Sequence, residues 1–581
     1  MKPALHTLLV MLMVSSTALA QQLAPRQQIN FDAGWKFAFG HAGNPEKDFN
    51  YGIETIFSKT GGVQNTAIDT RFNDSLWRSL DLPHDWAVEL PFVNDPSFNV
   101  MAHGYKPIGG KYPETSIGWY RKHFNVDASE EGRRFELQFD GVFRDAQFWV
   151  NGIYLGNNKS GYVGVAYDIT DFLNYGGENV VVVRVDATQY EGWFYEGAGI
   201  YRHVWLNKYH PLHIVHDGVF IHATVKGKRA EVTVETTLGN KGDASANITL
   251  ESWLTDRNGK TVARARDLPI MLKVSQVESF SQTLAVENPR LWDLDDPYLY
   301  RIHVALKYNG RVVDQKTLRF GIRSIEVKTN GLFLNGKHIK IKGVNCHQDH
   351  AGLGSALPDY LQYYRIRLLK NLGVNAYRSS HNAPTPELLD ACDSLGMLVM
   401  DEQRLLNSGP EYMDQFERLI KRDRSRTCVF MWCIGNEEGW IHTTPTGKRI
   451  AETMLKKQAQ LDPTRTSTYA ADVPNVYKGV NEVIPVRSFN YRHFAVADYH
   501  RDHPHQPIIG TEMGSTVTTR GQYERDSIRG YVPDQDISAP WWASTAEEWW
   551  TLAADNDYWL GGFVWTGFDY RGEPTPFEWP N

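Results

Sequence analysis

Two adjacent carboxylic acids stand at the end of a strongly apolar run, in the stretch MWCIGNEEGW at residues 431–440. The letters MWCI are typical of a buried strand, and Glu437 and Glu438 follow them after a glycine and an asparagine. Burial raises the pKa of a carboxyl group, because the ionised form loses its hydration. A carboxyl group at this position can therefore stay protonated near neutral pH, as a general acid must.

Strand-like and helical segments alternate from residue 324 to the end of the chain, and these elements must position the two acids. Pro358 and Pro386 suit the first turns of helices. Eight alternating units predict a closed (β/α)₈ barrel over residues 324–581. An open doubly wound sheet is the alternative, but no G-x-G-x-x-G follows its first strand. The eight predicted strand cores are 339–344, 374–380, 397–402, 429–437, 466–471, 486–491, 507–512 and 561–569.

Polar residues follow most of these strand cores, at the end of the barrel where such folds carry their active sites. Glu437 ends the fourth strand and Glu512 ends the seventh. Two carboxyl groups facing each other across a barrel mouth suit the hydrolysis of a glycosidic bond. One would donate a proton to the leaving oxygen, and the other would attack the anomeric carbon.

The sequence before the barrel is rich in β-branched and aromatic residues and predicts two β domains. Residues 21–209 contain strand-like runs with turn signals, among them Asn151-Gly152 between two apolar runs, and predict an all-β domain, a sandwich or jelly roll. Residues 210–323 have strand runs at regular spacing and predict an immunoglobulin-like sandwich. The chain is therefore expected to be multidomain.

Residues 1–20 have the features of a secretory signal peptide: one lysine, a short apolar stretch and an Ala-Leu-Ala cleavage site. We expect a secreted, periplasmic protein without a membrane span. The net charge is −7 and no basic run occurs, which argues against nucleic acid as a partner. The four cysteines have no metal-ligand spacing and are expected to be buried free thiols.

Several motifs together resemble glycoside hydrolase family 2, which groups β-galactosidases, β-glucuronidases and β-mannosidases. GNE ends the fourth strand and GTEMG the seventh, and the segment WTGFDYRGEP lies at the eighth. The segments FWVNG and GAGIYRHVWL resemble the family's N-terminal jelly roll, and LNGKHIKIKGVNCHQDH and NAYRSSHN resemble its barrel. The resemblance covers nearly the whole mature chain.

The resemblance implies that Glu437 is the acid/base and Glu512 the nucleophile. It also implies a substrate-binding set, in which the asparagine would bind the sugar 2-hydroxyl group and the tyrosine would orient the nucleophile. That set is Asn436, Tyr491, Arg378, His347, His381, Asn382 and Trp565. Glu438 is interpreted as a helix-start or salt-bridge residue, and Glu402 as a structural partner or pocket residue.

The predicted activity is that of a retaining exo-β-glycosidase, best described as a β-galactosidase, acting on glycans with a terminal β-linked sugar. The β-glucuronidases read the sugar carboxylate with a lysine after strand seven, and no lysine lies between Glu512 and Asn581. The magnesium ligands of enterobacterial β-galactosidases have no counterpart in EQRLLNSG, so no metal or cofactor is expected. Specificity for β-glucuronides or β-mannosides remains an alternative.

The chain ends shortly after the eighth strand, which suggests a fragment or a barrel without its last helix. A carbohydrate-binding protein inactivated by truncation is therefore a second alternative. A homo-oligomer is compatible with the sequence.

Overall fold

The computed structural model describes residues 25–52, 57–61, 64–93, 103–192, 194–473 and 476–571. The signal peptide predicted at residues 1–20 lies outside the described residues.

The N-terminal part is a β sandwich of two sheets. One sheet has the strand order β1-β10-β5-β8 and the other the order β3-β2-β4-β9-β6-β7. Asn151 and Gly152 have φ values of 50° and 78° and form the predicted turn of the β6–β7 hairpin. The elements are β1 (Gln27–Asn30), β2 (Trp35–Phe39), β3 (Arg78–Leu80), α1 (Trp86–Glu89), β4 (Ile117–Val126), β5 (Arg134–Phe139), β6 (Ala146–Val150), β7 (Ile153–Asn158), β8 (Val165–Asp168), β9 (Gly177–Asp186) and β10 (Val204–Tyr209).

A second β sandwich follows, with its own apolar core between two antiparallel sheets. One sheet has the order β11-β12-β16 and the other the order β14-β13-β17-β18, with β15 also paired to β13. Its strands are β11 (Leu212–Lys226), β12 (Arg229–Asn240), β13 (Ala246–Thr255), β14 (Thr261–Arg264), β15 (Leu268–Leu272), β16 (Val277–Glu287), β17 (Tyr300–Tyr308) and β18 (Arg311–Phe320). A small antiparallel sheet of β19 (Ile325–Lys328), β20 (Gly331–Leu334) and β21 (Lys337–Ile339) leads into the barrel.

The C-terminal part is an eight-stranded parallel barrel, as the alternation of elements predicted. Its sheet has the order β26-β25-β24-β23-β22-β29-β28-β27, and a parallel bridge between Thr468 and Val486 joins the two end strands. The elements are β22 (Ile341–Cys346), α2 (Asp359–Asn371), β23 (Ala376–Ser379), α3 (Pro386–Leu395), β24 (Leu398–Glu402), α4 (Pro410–Asp423), β25 (Val429–Asn436), α5 (Pro445–Leu461), β26 (Thr466–Ala470), β27 (Arg487–Asn490), α6 (Val496–Asp502), β28 (Ile508–Met513), α7 (Ala546–Asp555) and β29 (Trp559–Val564).

The barrel differs at two places from the predicted alternation of strands and helices. Between β26 and β27 the described residues form a single 3₁₀ turn, Gly479–Glu482, where the pattern predicted a helix. The last strand ends at Val564, five residues before the predicted end, so Trp565 lies just beyond the strand. Elsewhere prolines start the helices α3, α4 and α5, because a first-turn residue needs no amide donor.

Every residue of β24, β25 and β28 is buried, as expected for strands enclosed on both faces. All four cysteines are buried and unpaired, as predicted. Among the described residues no helix is long and apolar enough to cross a membrane.

Candidate active site

Glu437 and Glu512 line the same pocket at the C-terminal ends of the barrel strands. Glu437 directly follows β25 and Glu512 lies near the end of β28. The pocket has a volume of ≈ 160 Å³. The described residues around it are Phe194, His381, Asn436, Glu437, Tyr491, Glu512, Trp542 and Trp565.

Glu437 is held in an environment that favours its protonated form. Burial and the nearby Glu512 raise the pKa of its carboxyl group from 4.5 to about 8. Asn490 donates a 2.7 Å hydrogen bond to its Oε1. The backbone of Glu437 is left-handed, with φ at 56°, a conformation that costs a non-glycine residue on the order of 1–3 kcal/mol. The strand end is thus strained to aim this side chain into the pocket.

Glu512 is surrounded by donors that stabilise a carboxylate. Tyr491 donates its hydroxyl hydrogen to Oε2 at 2.5 Å, and Arg378 donates from Nη1 to Oε1 at 2.9 Å. Tyr491 also has a left-handed backbone, with φ at 59°. These contacts fix the orientation of the carboxylate and place the positive charge of Arg378 beside it.

Arg378 is fully buried and connects most of the polar groups under the pocket. Besides Glu512, it donates hydrogen bonds to Glu402, Asn345 and Asn436, at distances of 2.6–2.8 Å. The two neighbouring carboxylates raise the pKa of Arg378 above its ordinary value. Glu402 therefore holds Arg378, which in turn contacts the predicted nucleophile. Glu402 itself does not line the pocket.

Glu438 turns away from the pocket, although it is adjacent to Glu437. Its Oε1 accepts a hydrogen bond from the backbone amide of Leu406, and its own amide donates to the Tyr469 hydroxyl. A Cβ on Gly435 would lie 2.9 Å from Leu406 and 3.0 Å from the Glu438 carboxyl group, so this turn requires glycine. Glu438 therefore anchors the loop after β24.

His381 and Trp565 form one wall of the pocket. Their rings stack with centroids 5.3 Å apart and an interplanar angle of 16°. His381 shares a hydrogen bond of 2.9 Å with Glu402 through Nδ1, which leaves Nε2 at 3.8 Å from Glu512. Burial lowers the pKa of His381, so the ring is neutral at physiological pH.

The remaining predicted residues, His347 and Asn382, lie beside the pocket and outside its lining. Both face a smaller cavity that shares His381 with the pocket. The structure thus brings Glu437, Glu512, Asn436, Tyr491, His381 and Trp565 around one volume, with Arg378 beneath it.

Phe194 reaches the pocket from the N-terminal sandwich and was not among the predicted residues. The buried carboxylate of Asp85 accepts hydrogen bonds from the Tyr195 hydroxyl and the Ala198 amide, and also from the amide of Ser355 in the barrel. Asp85 therefore fixes the segment that carries Phe194 against the barrel.

Trp542 and Asn490 were also not predicted. Trp542 lies in the long irregular segment between β28 and α7, and its ring centroid is 4.7 Å from that of Tyr491. Irregular segments have no periodicity that could have placed Trp542. Asn490 lies near the end of the predicted strand 486–491 and is the last residue of β27, and this position was the one available signal.

One group of three potential metal ligands occurs among the described residues: His203, Asp359 and Glu387, with ligand atoms within 4.8 Å. Both ring nitrogens of His203 share hydrogen bonds with carboxylates, Nδ1 with Asp32 and Nε2 with Asp359. These partners raise the pKa of His203 to about 10, although burial opposes the shift. A protonated ring has no lone pair for a metal, so this group is an ion-pair cluster.

The raised pKa of Glu437 predicts that Glu437→Gln changes stability in a pH-dependent way. Because the folded state favours the protonated carboxyl, wild-type stability falls as the pH rises from about 4.5 to about 8, by on the order of 5 kcal/mol from this group. Glutamine cannot ionise. We expect similar unfolding temperatures near pH 4.5 and a higher value for the variant at pH 8.5, measured by thermal scans. A difference independent of pH would contradict this expectation.

A parallel barrel that holds two carboxyl groups in one pocket, with a β sandwich contributing to the wall, has the pair of acids that a glycoside hydrolase needs. Similarity to known proteins indicates the same class. Models of glycosyl hydrolases family 2 match three segments: the sugar binding domain at residues 65–210, the central domain at 212–323 and the TIM barrel domain at 325–529. A beta-galactosidase of Bacteroides ovatus is 34% identical over 96% of this chain and 69% of its own. The chain belongs to glycosyl hydrolases family 2.

Other relatives are named for a different activity. A beta-glucuronidase of Formosa agariphila is 27% identical over 89% of this chain and 54% of its own length. Among solved structures, a family 2 member from Bacteroides cellulosilyticus superposes with a TM-score of 0.79 at 29% identity, over 94% of this chain and 65% of that one. The chain therefore spans about half to two thirds of the length of these relatives.

Proposed function

We propose that this chain is a retaining exo-β-glycosidase that releases terminal β-linked galactose by double displacement. Glu512 attacks the anomeric carbon while Glu437 protonates the departing oxygen. Glu437, then deprotonated, takes a proton from water, which attacks the anomeric carbon and frees the sugar from Glu512. A separation of ~5–5.5 Å between the carboxyl groups is what this mechanism requires.

The observation that carries this proposal is the unequal environment of two acids in one pocket. Burial raises the pKa of Glu437 to about 8, so it holds a proton near neutral pH. Glu512 accepts hydrogen bonds from Arg378 and Tyr491, which hold its carboxyl group in place for attack. One acid that can donate a proton and one anion that can attack are the two groups that a retaining glycosidase needs.

The character of the pocket supports a neutral sugar over a uronic acid. None of the described residues that line it is lysine or arginine. Arg378 lies beneath it with its hydrogen bonds directed to protein groups. A sugar carboxylate is normally bound by a lysine or arginine side chain that lines the pocket. The aromatic rings of Phe194, Trp542 and Trp565 instead offer apolar surface to a sugar ring.

A panel of aryl β-glycosides tests the proposal: galactoside, glucoside, mannoside and glucuronide. We expect the galactoside to have the highest kcat/KM. Faster hydrolysis of the glucuronide or the mannoside would overturn the galactose assignment but would remain consistent with the double-displacement mechanism. Sugar binding without hydrolysis of any member would support a binding protein and overturn the enzyme assignment.

A further inference from the structure

The strand β26 lies between the strands that carry Glu437 and Asn490, but it contributes no residue to the described lining of the pocket. The amide of Glu437 donates to the backbone oxygen of Ala470 at 3.0 Å, and the amide of Asn490 donates to that of Ala471 at 2.7 Å. Asp472 is the next residue along the chain. Its backbone is therefore fixed between the proposed acid/base and the residue that donates a hydrogen bond to it.

The carboxyl group of Asp472 is only partly hydrated. Its side chain is 37% exposed, but Oδ1 is buried and has no hydrogen-bond partner. A charge whose hydration is incomplete acts more strongly on its neighbours than a fully hydrated one, because less water screens it. Asp472 is thus placed to act on Glu437 through its charge.

The His442 ring lies beside the buried oxygen of Asp472 without forming a hydrogen bond to it. Nδ1 of His442 is 3.9 Å from Oδ1 of Asp472, which is beyond hydrogen-bond distance. Both ring nitrogens are buried and have no partner. Burial lowers the pKa of His442 to about 4, so the ring is neutral near pH 7. The ring therefore excludes water from Asp472 without neutralising its charge.

Other ionisable groups face Asp472 from β26 and from β27 with the turn that follows it. Burial, and then the charges of Glu438 and Asp472, raise the pKa of Tyr469, so its phenol stays neutral. Burial lowers the pKa of the Arg487 guanidinium to about 10, and the charge of Asp472 is among the groups that oppose this shift. Arg492 donates from Nε to the backbone oxygen of Asp472 at 3.4 Å. The charge of Asp472 therefore reaches groups on its own strand and on the next one.

Glu437 is also exposed to the charge of Asp472. Burial is the largest cause of the raised pKa of Glu437, the charge of Glu512 is the next, and the charge of Asp472 adds to both. The hydrogen bond from Asn490 and the charge of Arg378 oppose them. The ionisable groups that face Glu437 from the neighbouring strands include Glu512, Asp472, Arg378 and Tyr491.

The charges of Glu512 and Asp472 differ in what happens to them during the proposed reaction. When Glu512 bonds to the anomeric carbon it becomes a neutral ester, so its charge no longer raises the pKa of Glu437. Asp472 does not react and keeps its charge. In the glycosyl-enzyme the negative charge of Asp472 therefore remains beside Glu437, and it strengthens Glu437 as the base that takes a proton from water.

We propose that Asp472 is a positioning residue whose fixed negative charge acts on Glu437 in both steps of the reaction. It helps Glu437 to hold its proton for the first step and makes it a stronger base in the second. This inference rests on the proposed function, because it assumes that Glu437 is the acid/base. The placement of Asp472 after β26, its buried and unpartnered Oδ1 and the neutral His442 ring beside it carry the inference.

Asp472→Asn removes the charge and keeps the shape of the side chain. Loss of a negative charge lowers the pKa of Glu437, so we expect two pH limbs to move toward acid by roughly 0.5 to 1.5 units. The first is the alkaline limb of kcat/KM on an oligosaccharide, which reports Glu437 as the acid of the free enzyme. The second is the acidic limb of kcat on a dinitrophenyl galactoside, whose good leaving group makes the second step limiting, so it reports Glu437 as the base. A lower rate with both limbs unmoved would show a structural role and overturn the inference.

Two variants are the matched controls: Asp472→Glu keeps the charge, and Asp498→Asn removes a charge elsewhere. Asp498 is an exposed residue of α6 that accepts a 2.6 Å hydrogen bond from Arg501. Both controls should keep the two limbs at their wild-type positions. An equal shift in Asp472→Asn and Asp472→Glu would mean that shape matters and not charge, and a shift in Asp498→Asn would mean that only net charge matters. Either result overturns the inference.

Thermal unfolding separates this inference from the proposed function, because it needs no substrate. The gain in unfolding temperature on Glu437→Gln at pH 8.5 should be smaller in the Asp472→Asn background, since an ionised Glu437 is then less strongly repelled. Near pH 4.5, where Glu437 is protonated in the folded state, the two substitutions should be additive.

If no glycoside is hydrolysed, the proposed function fails, and this double-mutant cycle still decides whether Asp472 acts on Glu437. Additivity at pH 8.5, or the same deviation from additivity at both pH values, overturns the inference. If Asp472→Asn does not fold, Asp472→Ser removes the same charge and takes its place in both experiments.

Discussion

Glu512→Gln is expected to lose at least ~10⁴-fold in kcat on any aryl β-galactoside, because the residue that forms the covalent intermediate is removed. Glutamine preserves the shape of the side chain and can still contact Tyr491 and Arg378. It cannot attack the anomeric carbon, so the loss of kcat measures the contribution of the nucleophile. The second measurement is trapping with a 2-deoxy-2-fluoro β-galactoside that carries a good leaving group. Wild type should gain the mass of one fluorosugar, and the variant should gain none.

Asp569→Asn is the control for this substitution. Asp569 is an exposed acid after the last barrel strand, and it does not line the pocket. The control should keep both turnover and trapping. Normal turnover by Glu512→Gln, or labelling of a peptide without residue 512, would show that another group is the nucleophile.

The sequence alone predicted most of the barrel, because several of its strands are enclosed on both faces and are therefore largely apolar. The runs that become β24, β25 and β28 stand out for this reason, and the acids at their ends follow directly. The segment between β26 and β27 shows the limit of this approach. The described residues of this connection form a short 3₁₀ turn, which has no helical period to detect.

The orientation of side chains at the strand ends could not be predicted. Glu437 and Glu438 are chemically identical neighbours, and only the left-handed backbone at Glu437 and the close packing at Gly435 send them in opposite directions. The packing at Gly435 and the orientation of Glu438 depend on tertiary contacts with Leu406, in the loop after β24.

The walls of the pocket could not be predicted from a local sequence pattern either. Phe194 arrives from another domain through the hydrogen bonds of Asp85, and Trp542 arrives from an irregular segment. Family resemblance transfers residues near the reacting carbon, where the chemistry is shared. Neither Phe194 nor Trp542 was among the residues that the resemblance implied.

Glu437→Ala is expected to divide substrates by the quality of their leaving groups. An oligosaccharide leaves only when its oxygen is protonated, so its hydrolysis should fall by roughly 10²–10⁴-fold. A dinitrophenyl galactoside needs no proton to form the glycosyl-enzyme, so this first step should be nearly unaffected. The second step should slow, because no base activates water. Azide, which needs no base, should restore turnover and give β-galactosyl azide with retained configuration.

The pH profile provides an independent test of the same residue. Glu437 must be protonated to act as the acid, and its pKa is raised to about 8, so wild-type kcat/KM on the oligosaccharide should fall as the pH rises through about 8. Glu437→Ala should lack this alkaline limb. Glu438→Gln is the matched control, since it removes the adjacent acid and should keep the limb. A limb that survives in Glu437→Ala and disappears in Glu438→Gln would exchange the roles of the two residues. If azide restored turnover to neither variant, neither Glu437 nor Glu438 would be the acid.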